Sequence, residues 1–354
     1  MTVFRLTTRL RALSLAAIPA LVGAALVGAT LFAASGAAAA ATRYPLTVTN
    51  CGQPLTFAQA PKRAVSIGQS STEILLSLGL ADRLVGTAVW FGPVLKPFEA
   101  VNAKIKRLAD NDPSFEAVVG QAPDLVTAQY EWHIGPNGSV GKREQFAALG
   151  VPAYVSPADC VEKDNSGSGD GVRKRLFTMD LIYQEIRELA QIFDVADRGE
   201  ELITTLRARE AAAIKAVAGK GKDRAVVFWF SSKDVKGDAF VAGRNGAPAY
   251  ILSALGARNV IDTNEEWPLV GWEGIAAANP AVIVIATMDR RRFPADDVEV
   301  KRAFLASDPV ASRLEAVRHN RVVLMNAQSM NPSIRTIDGL EALAAGLAAI
   351  EPGQ

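Results

Sequence analysis

Histidine and cysteine are nearly missing from this chain, with two of each among 354 residues. His133 and His319 are too few for a protein-built zinc site, which needs three or four imidazole, thiolate or carboxylate ligands. His319 lies in the charged run Glu315–Arg321 and reads as a surface residue, and His133 beside Glu131 reads as polar lining. No Cys-x-x-Cys pair, His-Glu-x-x-His run or Gly-x-Ser-x-Gly elbow occurs, and no two carboxylates stand out as an acid and base pair. Neither an enzyme, such as a secreted hydrolase, nor a cofactor or bare metal-ion site is therefore expected. Excess charge of one sign is lacking too: 38 Lys and Arg stand against 37 Asp and Glu, which argues against a nucleic-acid groove. The apolar fraction, 49%, is enough to build two buried cores in a chain of this length.

Residues 1–41 read as an export signal. Arg5, Arg9 and Arg11 form a basic start, an Ala/Leu-rich run follows from Ala12, and Ala37–Ala41 offers Ala-x-Ala cleavage sites. A retained membrane anchor is the alternative, since the uncharged run is long enough to span a bilayer. Leu10 separates Arg9 from Arg11, so there is no twin-arginine pair, and no cysteine at the cleavage site invites a lipid. No other segment is long and apolar enough to cross a membrane. The mature protein is expected in the periplasm. There an even pair of cysteines, Cys51 and Cys160, invites a disulfide, worth roughly 4–5 kcal/mol in the chain-entropy model; two isolated thiols are the alternative.

Beyond the signal, Tyr44–Thr49 and Pro54–Phe57 flank Asn50-Cys51-Gly52-Gln53 as a hairpin. A strand at Arg63–Ile67 leads to a helix at Thr72–Leu78, capped by Ser70, Ser71 or Thr72 and stopped by Gly79, then a strand at Leu84–Val89. Phe115–Val119 with Leu125–Ala128, and Phe146–Leu149 with Ala153–Ser156, repeat the helix-to-strand step. Such alternation predicts a parallel sheet covered on both faces. Asp164–Gly171 reads as an exposed insertion. Helices follow at Met179–Phe193 and at about Asp197–Ala218, the second with Leu202, Leu206, Ile214 and Val217 on its buried face. Further strands lie near Ala225–Phe230, Val282–Ala286 and Arg321–Met325.

The two halves echo each other. Phe115-Glu116 precedes Pro123 by the spacing at which Trp272-Glu273 precedes Pro280, and Ile74–Gly79 parallels Ile251–Gly256. Two echoes in the same order predict two α/β lobes (42–196 and 220–354) joined by one spanning helix (197–219), with a cleft at the carboxyl ends of the strands.

Pro61–Ile67, Thr72–Leu80 and Arg83–Gly86, followed by Pro113–Glu116, Ala122–Val126 and Asn279–Ala286, resemble the iron-siderophore and vitamin B12 periplasmic binding proteins along nearly the whole mature chain. The resemblance implies two Rossmann-like lobes with parallel sheets, a long interdomain helix, and a monomeric receptor for a metal chelate. A ferric siderophore leads, cobalamin and haem are the alternatives, and an ABC permease with its ATPase is the partner. It places Glu73 at a permease-docking position, where the echo in the second lobe puts Tyr250 instead of an acid. Loops after the strands supply candidate ligand contacts. Trp90, Phe91, Tyr130 and Trp132 offer flat apolar area, Arg290 and Arg292 forked donors, and Gln328 a polar contact. Arg291 is the least suited of its run, and Trp267 is a candidate for the rim. Trp229 fits core or cleft, while Trp272 reads as core. Asp110-Asn111-Asp112 stands where many relatives of that family carry a ligand-binding arginine, which weighs against a strongly anionic ligand.

Overall fold

A computed structural model describes residues 41–167, 170–217 and 219–350; the expected export signal, except Ala41, lies outside them. Among the described residues no helix is long and apolar enough to cross a membrane.

The mature chain opens with the antiparallel hairpin β1 (Leu46–Asn50) and β2 (Gln53–Phe57), whose two-residue turn holds Cys51 and Gly52 at positive φ. Five parallel strands follow: β3 (Ala64–Ile67), β4 (Leu84–Ala88), β5 (Arg107–Ala109), β6 (Leu125–Ala128) and β7 (Ala153–Val155). They pair in the order β5-β4-β3-β6-β7, so the chain starts at the centre and winds out to each side in turn. A sheet wound this way parts its crossover helices beside β3, opening a crevice at the carboxyl ends of β3, β4 and β6. Helices on both faces explain why β3 and β6 are buried at every position.

The helix Gln69–Ser77 leaves β3 through Gly68, whose φ of +127° and closeness to Gln129 (an added Cβ would sit 2.3 Å from Gln129 Cβ) leave room only for glycine. This helix starts earlier than the sequence suggests, and no serine or threonine side chain caps it. Instead the side-chain Oε1 of Gln129, delivered by the end of β6, accepts from the Ser70 amide at 3.0 Å. Gly79, at φ +72°, ends it. Ile74, Leu75 and Leu76 anchor its inner face, each worth roughly 1.5–3 kcal/mol when fully buried.

After β7 a short hairpin, β8 (Lys163–Asp164) and β9 (Val172–Arg173), leads to the helix Met179–Ile192 and the spanning helix Ala196–Val217. The second sheet collects β10 (Ala225–Ser231), β11 (Ala239–Val241), β12 (Arg258–Asn259), β13 (Leu269–Val270), β14 (Val282–Thr287) and β15 (Val322–Asn326). Its order is β13-β11-β10-β14-β15 with β12 against β10. Its β10-β14-β15 centre is parallel, and β11 alone is reversed, pairing antiparallel with β10 on one side and β13 on the other, so this sheet is mixed where a parallel one is expected.

The spanning helix joins the lobes by burying a different part of itself in each. Ile203 and Leu206 belong to the first lobe's core, Ala213 and Val217 to the second's. Ile214, expected on the buried face, is 40% exposed, because the inward stripe passes through Ala213. At about 1.5 Å per residue its 22 residues reach roughly 33 Å. Arg209 pins it to the C-terminal helix Thr336–Ala348, donating to Asp338 at 2.6 Å and to Glu341 at 2.9 and 2.6 Å. Glu210, the next residue, accepts Tyr183 Oη from the first lobe at 3.3 Å and Tyr250 Oη from the second. Cys51 and Cys160 are joined in a disulfide across 109 residues, tying the opening hairpin to the segment after β7.

Candidate functional site

Loops from the carboxyl ends of β4, β6, β10 and β14 meet around a cleft of about 980 Å³, at the upper end of the range for small-molecule sites. The first lobe contributes Phe91 after β4, and Tyr130 and Trp132 after β6. From the second come Phe230 at the end of β10, and Arg290, Arg292 and Phe293 after β14. Trp267 stands at the rim, 4.9 Å from the Phe230 ring. Trp132 is 44% exposed, a large indole held open to the cleft.

The Arg290 guanidinium lies 4.5 Å above the Phe91 ring. Its Nε has no hydrogen-bond acceptor, and Asp296 is 3.9 Å away. Burial pulls its pKa down, with Asp296 opposing; a guanidinium still stays charged there and has donor capacity for a ligand oxygen. Asp296 is fully buried and organises this wall. It accepts Ser231 Oγ at 2.6 Å and the backbone amides of Arg292 and Phe293 at 2.7 and 3.0 Å, so the ends of β10 and β14 are fixed by one carboxylate. Burial also raises the Tyr130 hydroxyl well above its usual range, which keeps it a neutral donor.

On one flank the β8–β9 hairpin crosses to the second lobe. The Arg173 amide donates to Asn264 O at 3.1 Å, Glu266 N donates to Gly171 O at 3.1 Å, and Val172 bridges Glu265. Glu266, from the second lobe, is paired with Lys163 at 3.0 Å and Arg173 at 3.2 Å, and Lys163 also pairs with Asp159. Burial alone would raise the Glu266 carboxyl, but the two cations outweigh it and hold it below the usual range. The Asp164–Gly171 insertion, with Asp164, Ser166, Gly167 and Asp170 exposed and Asn165 and Gly171 half-buried, thus belongs to a strap tied to both lobes.

Several expectations change. Trp90 does not line the cleft; it is 4% exposed within the first lobe's core, with Arg107 over its ring. Residue 89 has φ +63°, and the turn this makes sends Phe91, not Trp90, into the cleft. Gln328 is fully buried beneath the cleft, and Asn331 lines it instead. Arg291 turns back to the Met288 carbonyl. Glu73 is the largest revision. It is fully buried, ion-paired with Arg335, and out of reach of any docking partner. Tyr250, its counterpart in the echo, likewise points inward, to Glu210. His133 is buried 3.5 Å from Asp112, and Trp229 is core.

Phe230 is a further cleft residue, and its place at the end of a predicted strand is the same signal that marks Tyr130. The acids that do stay exposed at matching positions are Glu116 and Glu273. Each occupies the first turn of a short helix, Phe115–Val119 and Trp272–Ala278, and the sequence echo had already aligned them.

With two lobes, one spanning helix and an aromatic cleft in place, the class is settled by comparison: residues 65–329 match the periplasmic binding protein family, and the chain belongs to it. It is 24% identical over 308 residues to the ABC transporter substrate-binding lipoprotein YvrC of Bacillus subtilis (strain 168), covering 85% of each. It is 23% identical over 232 residues, 65% of this chain and 71% of the relative, to the vitamin B12-binding protein of Yersinia pestis (strain Pestoides F). A solved ABC-type Fe3+-hydroxamate transport protein from Saccharomonospora viridis DSM 43017 superposes with a TM-score of 0.70 at 27% identity, covering 87% of this chain and all of that one. These relatives are substrate-binding transport proteins.

Proposed function

We propose that this protein captures a ferric siderophore in the periplasm and hands it, as a monomer, to an ABC permease with its ATPase. One observation carries the choice of cargo: the cleft is walled by aromatic rings and two arginines, while no histidine, cysteine or methionine occurs among its described lining residues. A porphyrin iron needs an axial ligand from the protein, and Tyr130 is the single candidate among histidine, cysteine, methionine and tyrosine in the described lining. A siderophore brings its iron fully chelated and asks only for flat apolar walls and donors to its oxygens, which Phe91, Tyr130, Trp132, Arg290 and Arg292 supply. A corrinoid also arrives with its metal ligated, and the vitamin B12-binding relative makes it the second reading. Docking to the permease falls to Glu116 and Glu273, the exposed matching acids, in place of Glu73 and Tyr250.

Native mass spectrometry of the mature protein after exposure to iron-starved culture medium tests this. An adduct carrying iron and a ligand-to-metal charge-transfer band is expected. A Soret band, a corrinoid spectrum or no adduct at all would overturn the siderophore reading.

A further inference from the structure

Among the buried polar side chains of the helix Gln69–Ser77, Gln69 and Glu73 lie outside the cleft lining and are bonded to each other, Glu73 also across the seam between the lobes. Glu73 is fully buried, and both its oxygens are taken by Arg335, which enters from the second lobe 262 residues away; Nε lies 2.7 Å from Oε2, and Nη2 holds Oε1. The same Oε1 accepts the Leu95 amide at 3.1 Å and Gln69 Nε2 at 3.1 Å. Pro93 O accepts Arg335 Nη2 at 2.7 Å and Gln69 Nε2 at 3.1 Å. Gln69 Oε1 in turn accepts the amides of Phe91 and Gly92, at 3.0 and 3.3 Å. Residues 91–95 are therefore wrapped onto the Glu73–Gln69 pair by their backbone, independent of side-chain identity.

The carbonyl of Phe91 reaches the opposite way, accepting the amides of Asp289 and Arg290 at 2.9 and 3.1 Å. A bonded chain thus leaves the second lobe at Arg335, passes through Glu73, Gln69 and Phe91, and returns to the second lobe at Arg290. Its last two members are the ring and guanidinium stacked on the cleft wall. A bidentate carboxylate–guanidinium pair tied further through Oε1 and Nη2 has a narrow geometry, and removing either partner would leave the other charge buried alone.

We propose that Glu73 is a positioning residue for ligand capture: clamped by Arg335, it sets residues 91–95 and so seats Phe91 and Arg290 in the cleft. This rests on the cleft being the ligand site. A seat bolted across both lobes is preformed, so capture loses little affinity to ordering. The clamp lies below the cleft and does not touch cargo.

The test is amide hydrogen exchange on the mature protein without ligand, comparing wild type with Glu73→Gln, which keeps the shape and removes the charge. Exchange at Asp289 and Arg290 is expected to rise at least tenfold, while Val226–Phe228 in β10 stays unchanged. Exchange at Asp289 and Arg290 that does not move, or a uniform rise through both lobes, would show the pair to be merely structural and end the proposal. Should Glu73→Gln fail to fold, Arg335→Lys, which keeps the charge but not the fork, is expected to raise exchange at the same two amides, judged by the same criteria. A second arm measures affinity for ferric desferrioxamine B, expected to fall at least tenfold in the variant that folds; unchanged affinity would overturn the positioning role. If wild type binds no ferric hydroxamate, the cargo reading falls, while the exchange arm still decides the clamp.

Discussion

The two lobes meet one sequence pattern with different chemistry. Ile74–Gly79 and Ile251–Gly256 echo each other, and the residue before each echo faces the seam between the lobes. In the first lobe it is Glu73, paired with Arg335 of the second; in the second it is Tyr250, hydrogen-bonded to Glu210 on the spanning helix. The echo therefore marks a place in the fold, and burial decides what a side chain does there. The later echo, Glu116 against Glu273, marks a place that both lobes leave in solvent.

The lobes also differ in how they are secured. Only the first carries the disulfide, which closes a loop lying wholly within it. Cys51→Ala/Cys160→Ala is expected to cost roughly 4–5 kcal/mol in the chain-entropy model. Urea unfolding followed by probes in each lobe would show the first lobe weakened and the second unchanged; equal loss in both would dissolve the distinction.

Among the described residues each lobe buries a charged-type side chain with no ion-pair partner within 4 Å, Glu185 in the first and Lys301 in the second, of opposite sign. In the first, Glu185 is pushed up to about 7 by burial, with Ser71 and Ser156 hydroxyls opposing. In the second, burial pulls Lys301 down to about 7, with Asp296 opposing. The linkage runs in opposite directions. Glu185 binds its proton more tightly when folded, so its stability contribution is complete below about 4.5 and is lost as pH rises to about 7. Lys301 holds its proton less tightly when folded, so its contribution is complete above about 10.5 and is lost as pH falls to about 7. Glu185→Gln is expected to flatten stability between the first two values by on the order of 3 kcal/mol, and Lys301→Met between the last two by on the order of 5 kcal/mol. Melting temperatures across pH check this; slopes left intact would refute the assignment.

The smallest effect on the fold is expected at the exposed acids. Glu116→Ala and Glu273→Ala should each change stability by less than about 0.5 kcal/mol, yet together abolish delivery to the permease in reconstituted vesicles. Full transport with both acids removed would return docking to other surfaces.

Much of this fold was readable in the sequence because its strands are short apolar runs bounded by glycine, proline and polar turns. Phe115–Val119 and Leu125–Ala128 fall where periodicity put them. The site was less readable because facing direction is a tertiary property. Trp90 and Phe91 are neighbours with equal appeal as cleft residues, and the positive φ at residue 89 decides between them. Glu73 looked like a surface acid because its partner, Arg335, is 262 residues away and nothing local marks the pair. The strap was read as an insertion for the same reason: its partners, Asn264 and Glu266, belong to the other lobe.

The central claim is an aromatic cleft that takes a fully chelated ferric ligand. Tryptophan fluorescence during titration with ferric desferrioxamine B tests it most directly, since Trp132 and Trp267 stand at the cleft. Saturable quenching by the ferric complex but not the iron-free chelator, largely lost in Trp132→Phe/Trp267→Phe, is the predicted result. No quenching by the ferric complex, together with a haemin Soret shift that Tyr130→Phe abolishes, would contradict it.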